Sequence, residues 1–155
     1  MQKKTVLRII ILALILIWMI TIFNFSNQNG DESSNLSREI ASKIVQESEV
    51  DKVEPYIRKI AHLSEYAIGG VLFLLLFLTY NFSDIKRMIF SLVLGVEYAA
   101  IDEIHQTFVD GRSGQIVDVF IDSIGIALGI CMIMLIYKIT IKIQQKRKDG
   151  VLNKQ

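Results

Sequence analysis

The sequence is poor in the residues on which disulfides and metal centres depend. It contains one cysteine, Cys131, and two histidines, His62 and His105. Because Cys131 has no partner in the chain, an internal disulfide and a cysteine-based zinc site are excluded. No His-Glu-x-x-His motif and no serine-nucleophile motif occurs. The net charge near +1 also argues against a nucleic-acid partner.

Apolar residues, in contrast, are abundant. They make up 52% of the 155 residues, and the mean hydropathy of +0.42 is too high for an ordinary soluble domain of this size. A helix needs about 17–25 residues to cross a hydrocarbon core about 30 Å thick. Four apolar runs reach or approach that length, at 6–23, 60–80, 88–107 and 117–137. The sequence therefore predicts an all-α, multi-pass membrane protein, folded as a four-helix bundle in the lipid bilayer.

Lysine and arginine residues next to the spans predict the orientation of the bundle. They cluster near the N-terminus, in the loop that contains Lys86 and Arg87, and in the basic tail. We expect these segments, and hence both termini, to be cytoplasmic. The first run is followed by Phe23-Asn24-Phe25-Ser26 in place of a small-residue cleavage site, which indicates an uncleaved signal anchor. The predicted segments are a cytoplasmic N-terminus (1–5), the first span (6–23), an external loop (24–54), a region with three spans (55–137) and a cytoplasmic tail (138–155).

The external loop has a pattern of its own. Leu36, Ile40 and Ile44 recur at four-residue steps between charged positions, as on a short amphipathic helix at the membrane surface. A solvated spacer packed loosely on the bundle is the alternative interpretation. Pro55, the only proline, suits the first turn of a helix, so the second span is predicted to begin there.

Polar residues interrupt one end of each of the last three spans. With 100° per residue, they fall on one stripe of each helix. The stripes are Arg58, His62, Glu65, Tyr66 and Gly69; Tyr98, Asp102, His105 and Gln106; and Asp118, Asp122, Gly125 and Gly129. Glu103 is predicted to point elsewhere. Since ionised groups are costly inside a membrane, the stripes should face one another or a wet cavity, which predicts a polar pocket open to the outside.

Two glycine-containing segments lie beside this predicted pocket. Gly125-x-x-x-Gly129 would let a neighbouring helix backbone approach closely. Arg112, within Gly111-Arg112-Ser113-Gly114, could hold a phosphate or carboxylate bidentately, or could neutralise Asp118 and Asp122. The sequence leaves these two roles open.

Taken in order, these motifs resemble those of the VanZ-like membrane proteins. The matching residues are Arg58-Lys59-x-x-His62-x-x-Glu65-Tyr66, Glu97, Asp102-Glu103-x-His105-Gln106-x-Phe108, Gly111-Arg112 and Asp118-x-x-x-Asp122-x-x-Gly125-x-x-x-Gly129. The resemblance spans about Pro55 to Ile130 and leaves the first span and the external loop outside. Asp122 departs from the family pattern, in which an asparagine often stands at this position, and makes the pocket more negative.

The resemblance implies a bacterial plasma-membrane protein, because the namesake of the family is associated with resistance to the glycopeptide antibiotic teicoplanin. Three hypotheses follow for the pocket. It binds a polar part of a cell-wall precursor or antibiotic; it is the site of a membrane enzyme acting on a lipid-linked or cell-wall precursor; or its polar contacts only hold the helices together, and function lies in a partner protein. The oligomeric state and the reaction class stay open.

The predicted site gathers the ionisable and hydrogen-bonding residues of the stripes and of the last loop. It comprises Arg58, His62, Glu65, Tyr66, Asp102, Glu103, His105, Gln106, Arg112, Asp118 and Asp122. A divalent cation is a candidate cofactor, and the enzyme hypothesis would give it four of these side chains as ligands. The candidate ligands are His62, Glu65, Asp102 and His105.

Overall fold

The computed structural model describes residues 2–152, and their side chains as far as residue 149. The described chain is helical and contains no β-strand. Its helices are α1 (Gln2–Ser26), α2 (Gly30–Ser42), α3 (Val50–Leu78), α4 (Asp84–Gln106) and α5 (Ile116–Leu152), with a 3-10 turn at Glu47–Glu49. The predicted all-α architecture is confirmed.

Three helical segments of the described chain are long and apolar enough to cross a membrane. They are Gln2–Ser26, Glu47–Leu78 and Ile116–Asp149. Helix α4 has 23 residues, which at 1.5 Å per residue gives about 34 Å, enough to cross the hydrocarbon core. Its acidic residues Glu97, Asp102 and Glu103 make it more polar than the other three. The fold is that of an all-α membrane bundle, and a crossing by α4 stays a prediction.

Helix α3 begins earlier than the sequence predicted. It starts at Val50, so Pro55 lies inside the helix and not at its first position. The 3-10 turn at Glu47–Glu49 leads directly into the helix, and the buried side chain of Val50 fixes the added turn against the bundle. Proline costs one backbone hydrogen bond there, which this anchored first part of the helix tolerates.

The segment between α1 and α3 contains a helix, α2, and is not an irregular spacer. Its N-terminus is capped by Asn29, whose side chain accepts a hydrogen bond of 2.8 Å from the Glu32 amide. Ser37 and Ala41 are buried on the side that packs against α3. The predicted apolar stripe lies on the other side, where Leu36, Ile40 and Ile44 are 41–68% exposed.

The closest packing in the bundle is between α3 and α5. A methyl group at Gly125 would lie 2.3 Å from the Leu63 carbonyl oxygen, and one at Gly129 would lie 2.0 Å from that of Ala67. The two backbones therefore touch, as the Gly-x-x-x-Gly spacing predicts. The paired residue numbers increase together, so α3 and α5 run parallel and begin at the same end of the bundle.

Trp18 joins α1 to this pair of helices. Its indole N–H donates to the Glu65 carbonyl at 2.9 Å, and its ring meets those of Tyr66 and Phe73 edge-on at centroid distances of 5.9 and 5.8 Å. Tyr98 of α4 donates its hydroxyl to the Met19 carbonyl at 2.7 Å. These contacts place the end of α1 beside the polar ends of α3 and α4.

The α3–α5 contact generates a first prediction. Gly129→Leu should lower the melting temperature of the detergent-solubilised protein, because the side chain would enter the backbone contact at a cost of about 1–3 kcal/mol. Cys131→Leu is the matched control, since Cys131 lies on the exposed side of the same helix. The melting temperature of each variant is obtained from the fraction of protein that stays monodisperse after heating. Equal melting temperatures would show that the close contact does not limit stability.

Candidate functional site

Two adjoining cavities lie at the end of the bundle where α1 and α4 end and α3 and α5 begin. The first, which we call the α1 cavity, has a volume of about 100 Å³. The second, the loop cavity, measures about 290 Å³ and is lined by the loop between α4 and α5 and by the start of α2. Four side chains line both cavities: Arg58, His62, Gln106 and Arg112. The two cavities therefore form one composite site.

The two arginines of this site form no ion pair with an acidic side chain among residues 2–149. Arg112 donates to two neutral oxygens, the Gln106 side chain at 3.0 Å and the Phe25 carbonyl at 3.1 Å. No ion pair among residues 2–149 involves Arg112, so it does not neutralise Asp118 or Asp122 by direct contact. Burial lowers the pKa of Arg112, and the nearby positive charge of Arg58 lowers it further. Arg58 itself makes no hydrogen bond or ion pair within the described chain.

Gln106 separates the positive from the negative part of the site. Its side-chain oxygen accepts from Arg112 at 3.0 Å, and its Nε2 donates to Asp102 Oδ2 at 3.1 Å. Both Gln106 and Asp102 are buried. The amide thus bridges a guanidinium and a carboxylate that do not pair directly.

Several buried polar atoms of the α1 cavity lack a partner among the described residues. They are Ser26 Oγ, Tyr66 Oη and Asp102 Oδ1. The three residues are 0–4% exposed. An unpaired buried donor or acceptor costs about 1–3 kcal/mol, so these atoms favour occupation of the cavity by a polar group or by water.

His62 connects the cavities to α5. Its Nδ1 lies 3.5 Å from Asp122 Oδ1, which is an ion-pair distance when the imidazole is protonated but lacks hydrogen-bond geometry. Asp122 is fully buried against α3, and it does not line either cavity. Because Nδ1 faces Asp122, Nε2 is the ring nitrogen left to meet a ligand.

The other predicted acids divide between the cavities and the packing of the helix ends. Glu65 lines the α1 cavity and Asp118 lines the loop cavity. Glu103 lines neither, and its Oε1 accepts from the Gln115 amide at 2.6 Å, which fixes the loop to α4. Glu103 is thus a residue of the predicted site that the structure places outside both cavities.

Only part of the predicted polar stripe of α4 reaches the site. Asp102 and Gln106 line the α1 cavity. His105 packs its ring on that of Phe23, with centroids 4.6 Å apart, and lies outside both cavities. Tyr98 is likewise turned toward α1 by its hydrogen bond to the Met19 carbonyl.

The four candidate metal ligands do not form a ligand set. Between residues 2 and 149 no group of three or more His, Cys, Asp and Glu side chains is arranged to hold a metal ion. His105 lies against Phe23, while His62 faces Asp122. The divalent-cation hypothesis finds no support in this geometry.

The sequence analysis missed the wall that α1 and α2 contribute. Ser26 of α1 and Ser33 and Ser37 of α2 line the α1 cavity. A signal for α2 exists in the sequence, since Ser33, Ser37 and Ala41 form a small-residue stripe at four-residue spacing, which is typical of helix packing in membranes.

A glycine contact holds α2 over the site. A methyl group at Gly30 would lie 2.1 Å from the Gly111 carbonyl oxygen, and the Gly30 amide donates to the Asp110 carbonyl at 3.2 Å. Gly111 has a φ of 74°, a left-handed conformation that favours glycine. The α4–α5 loop and the start of α2 are thus fixed to each other at the mouth of the loop cavity.

The fold and the site together define an all-α membrane protein with a composite polar site at one end of its bundle. The family comparison is specific: the model of the VanZ/LLP1 family matches residues 11–137. The chain belongs to the VanZ/LLP1 family. The match is longer than the motif region from Pro55 to Ile130 and includes most of α1 and all of α2. The comparisons with curated proteins and with solved structures gave no match.

The His62–Asp122 contact generates a second prediction. In a double-mutant cycle with His62→Gln and Asp122→Asn, we expect a coupling of about 0.6–2 kcal/mol, the range of interhelical polar contacts in membranes. Unfolding of the detergent-solubilised protein measures it. A cycle of His62→Gln with Asp84→Asn is the control, because Asp84 pairs with Arg87 at the opposite end of the bundle. Strict additivity in both cycles would contradict an energetic link between α3 and α5 at this point.

Proposed function

We propose that this protein raises the tolerance of a bacterial cell to glycopeptide antibiotics of the teicoplanin type, or to cell-envelope stress, by binding an envelope molecule in the composite site. One observation carries the proposal. Arg58 and Arg112 line the cavities without acidic partners, while buried polar atoms beside them are unpaired. A bundle stabilised only by its polar contacts would be expected to pair these groups with one another.

We further propose that the site opens on the outer side of the plasma membrane. The support is the distribution of basic residues. Arg8 donates to the Thr79 carbonyl at 2.9 Å and Arg87 donates to Asp84 at 2.9 Å, both at the end of the bundle away from the cavities. The basic residues after Tyr137 belong to the same end, where attraction to the anionic inner leaflet favours them.

Cysteine labelling tests this orientation. In a Cys131→Ser background, Ser34→Cys should react with a membrane-impermeant maleimide on intact cells, because Ser34 lines the loop cavity. Lys86→Cys, in the exposed first turn of α4 at the opposite end of the bundle, should react only after permeabilisation. The reverse pattern would place the composite site in the cytoplasm and overturn the proposed access from outside.

Antibiotic susceptibility tests the function itself. In a susceptible Gram-positive host, the wild-type protein should raise the inhibitory concentration of teicoplanin, and Arg112→Gln or Asp102→Asn should remove most of that rise. Lys52→Gln is the matched control, because it removes one positive charge, as Arg112→Gln does, from an exposed side chain at the same end of the bundle. Membrane abundance is measured for every variant.

The outcomes separate the functional from the structural role of the polar residues. If a variant is present at normal abundance but no longer raises the tolerance of the host, the result supports a binding site. A fall in abundance in step with tolerance would show that Asp102 and Arg112 serve the fold. No effect of the wild-type protein on either teicoplanin or vancomycin susceptibility would overturn the glycopeptide role for this chain.

A further inference from the structure

We propose that the composite site binds a phosphate-containing headgroup, with the phosphate between Arg58 and Arg112 and a hydrogen-bond donor of the same headgroup at Asp102. The inference deepens the proposed function, on which it rests, by naming the chemical class of the ligand at that site. Headgroups of the phosphoethanolamine and glycerol phosphate types combine these two features.

The size of the cavities excludes a whole antibiotic as the occupant. They measure about 100 and 290 Å³. Even together they reach only the lower end of the range of about 300–1,000 Å³ that sites for drug-sized ligands occupy, and a glycopeptide antibiotic is larger than such ligands. The occupant is therefore a small group, such as a headgroup, and any effect on a glycopeptide is indirect.

The two arginines identify the group that they would hold, although acidic residues line the same cavities: Glu65 and Asp102 in the α1 cavity, and Asp31 and Asp118 in the loop cavity. Among residues 2–149, neither Arg58 nor Arg112 forms an ion pair with an acid, and Arg112 donates hydrogen bonds only to neutral oxygens. A guanidinium fork matches the geometry of phosphate and carboxylate oxygens alike. A phosphate monoester carries about −1.5 to −2 charge, enough to offset both arginines. The phosphodiester of a lipid headgroup carries a single negative charge, as a carboxylate does, but its phosphorus bears four oxygen atoms, so it can meet both guanidinium groups at once.

The unpaired atoms beside the arginines require a second feature of the ligand. Asp102 Oδ1 and Tyr66 Oη are buried without a hydrogen bond of standard geometry, although the two groups are close enough to interact with each other, and both residues line the α1 cavity with Arg58 and Arg112. A carboxylate accepts hydrogen bonds and repels a bare anion. A ligand that presents a hydroxyl or ammonium group next to its phosphate would satisfy Asp102, and Gln106 holds the two halves of the site apart for it.

The surroundings of the α1 cavity favour a headgroup that belongs to a lipid. Leu36 lines this cavity and is also 50% exposed. The exposed apolar side continues along α2 to Ile40 and, just beyond the end of the helix, to Ile44. A headgroup in the cavity could therefore keep its acyl chains against this apolar side of α2.

Calorimetric titration of the purified full-length protein in phosphate-free detergent tests the inference. The probes are O-phosphoethanolamine, glycerol 3-phosphate, ethanolamine and inorganic phosphate. We expect both phosphate esters to bind, and Arg58→Gln and Arg112→Gln each to weaken them about tenfold, the loss expected for a charge-assisted hydrogen bond. Arg58→Gln removes no hydrogen bond or ion pair within the described chain, so membrane abundance and melting temperature close to those of the wild type separate its effect from folding. Lys52→Gln should bind like the wild type.

Asp102→Asn distinguishes a headgroup from free phosphate. It should weaken O-phosphoethanolamine and, because it removes a carboxylate that repels a bare anion, tighten any binding of inorganic phosphate. If inorganic phosphate binds as tightly as the esters and Asp102→Asn does not weaken the esters, the headgroup proposal is overturned and free phosphate is the ligand. Ethanolamine that binds as well as its phosphate ester, or arginine variants that bind normally, would overturn the phosphate site.

A separate measurement tests whether the bound headgroup belongs to a lipid. The protein in phosphatidylcholine nanodiscs should enrich added phosphatidylethanolamine or phosphatidylglycerol in native mass spectra, and Arg112→Gln should abolish the enrichment. If the esters bind in solution but neither lipid is enriched, the lipid source is overturned.

Failure of the ligand class and failure of the proposed function are distinguishable. Loss of tolerance in Arg112→Gln without any phosphate binding overturns the ligand class alone, whereas phosphate binding without a tolerance effect overturns the function alone.

Discussion

The direct backbone contact between α3 and α5 is the constraint on which the rest of the structure depends. Gly125 and Gly129 bring α5 against the carbonyl groups of α3, and no side chain fits between them. Because Asp122 lies about one turn before Gly125, the same contact forces its carboxylate toward α3, where His62 is its neighbour at 3.5 Å. The parallel course of the two helices then places Arg58 and Asp118 at one end of the bundle.

The part of the site that lies on α3 was predictable from the sequence. Polar residues in a membrane helix are costly, so Arg58, His62, Glu65 and Tyr66 had to share a face and meet other polar groups, and all four line the α1 cavity. The stripe of α4 was less predictable. Helical periodicity defines an arc of a single helix, but it does not say which part of that arc a neighbouring helix covers. Here α1 covers the part with His105.

The orientation of α2 follows a rule that differs between water and lipid. In a soluble protein an apolar stripe faces the core, which would turn Leu36 and Ile40 inward. Lipid tails are as apolar as leucine, so a helix beside a membrane gains little by burying such residues and packs instead through small ones. The buried face of α2 accordingly carries Ser37 and Ala41. The helix itself was predictable from the pattern, whereas its inward face required the membrane rule.

The separation of charges at Gln106 distinguishes this site from a structural ion pair. A direct contact between Arg112 and Asp102 would be expected to stabilise the bundle and to leave neither group available. Gln106 accepts from the guanidinium and donates to the carboxylate, so each keeps unused hydrogen-bonding capacity. Since the amide is buried and bonded on both sides, the two charges are held in fixed places before any ligand arrives. A preorganised site of this kind is complementary to a ligand that is itself dipolar.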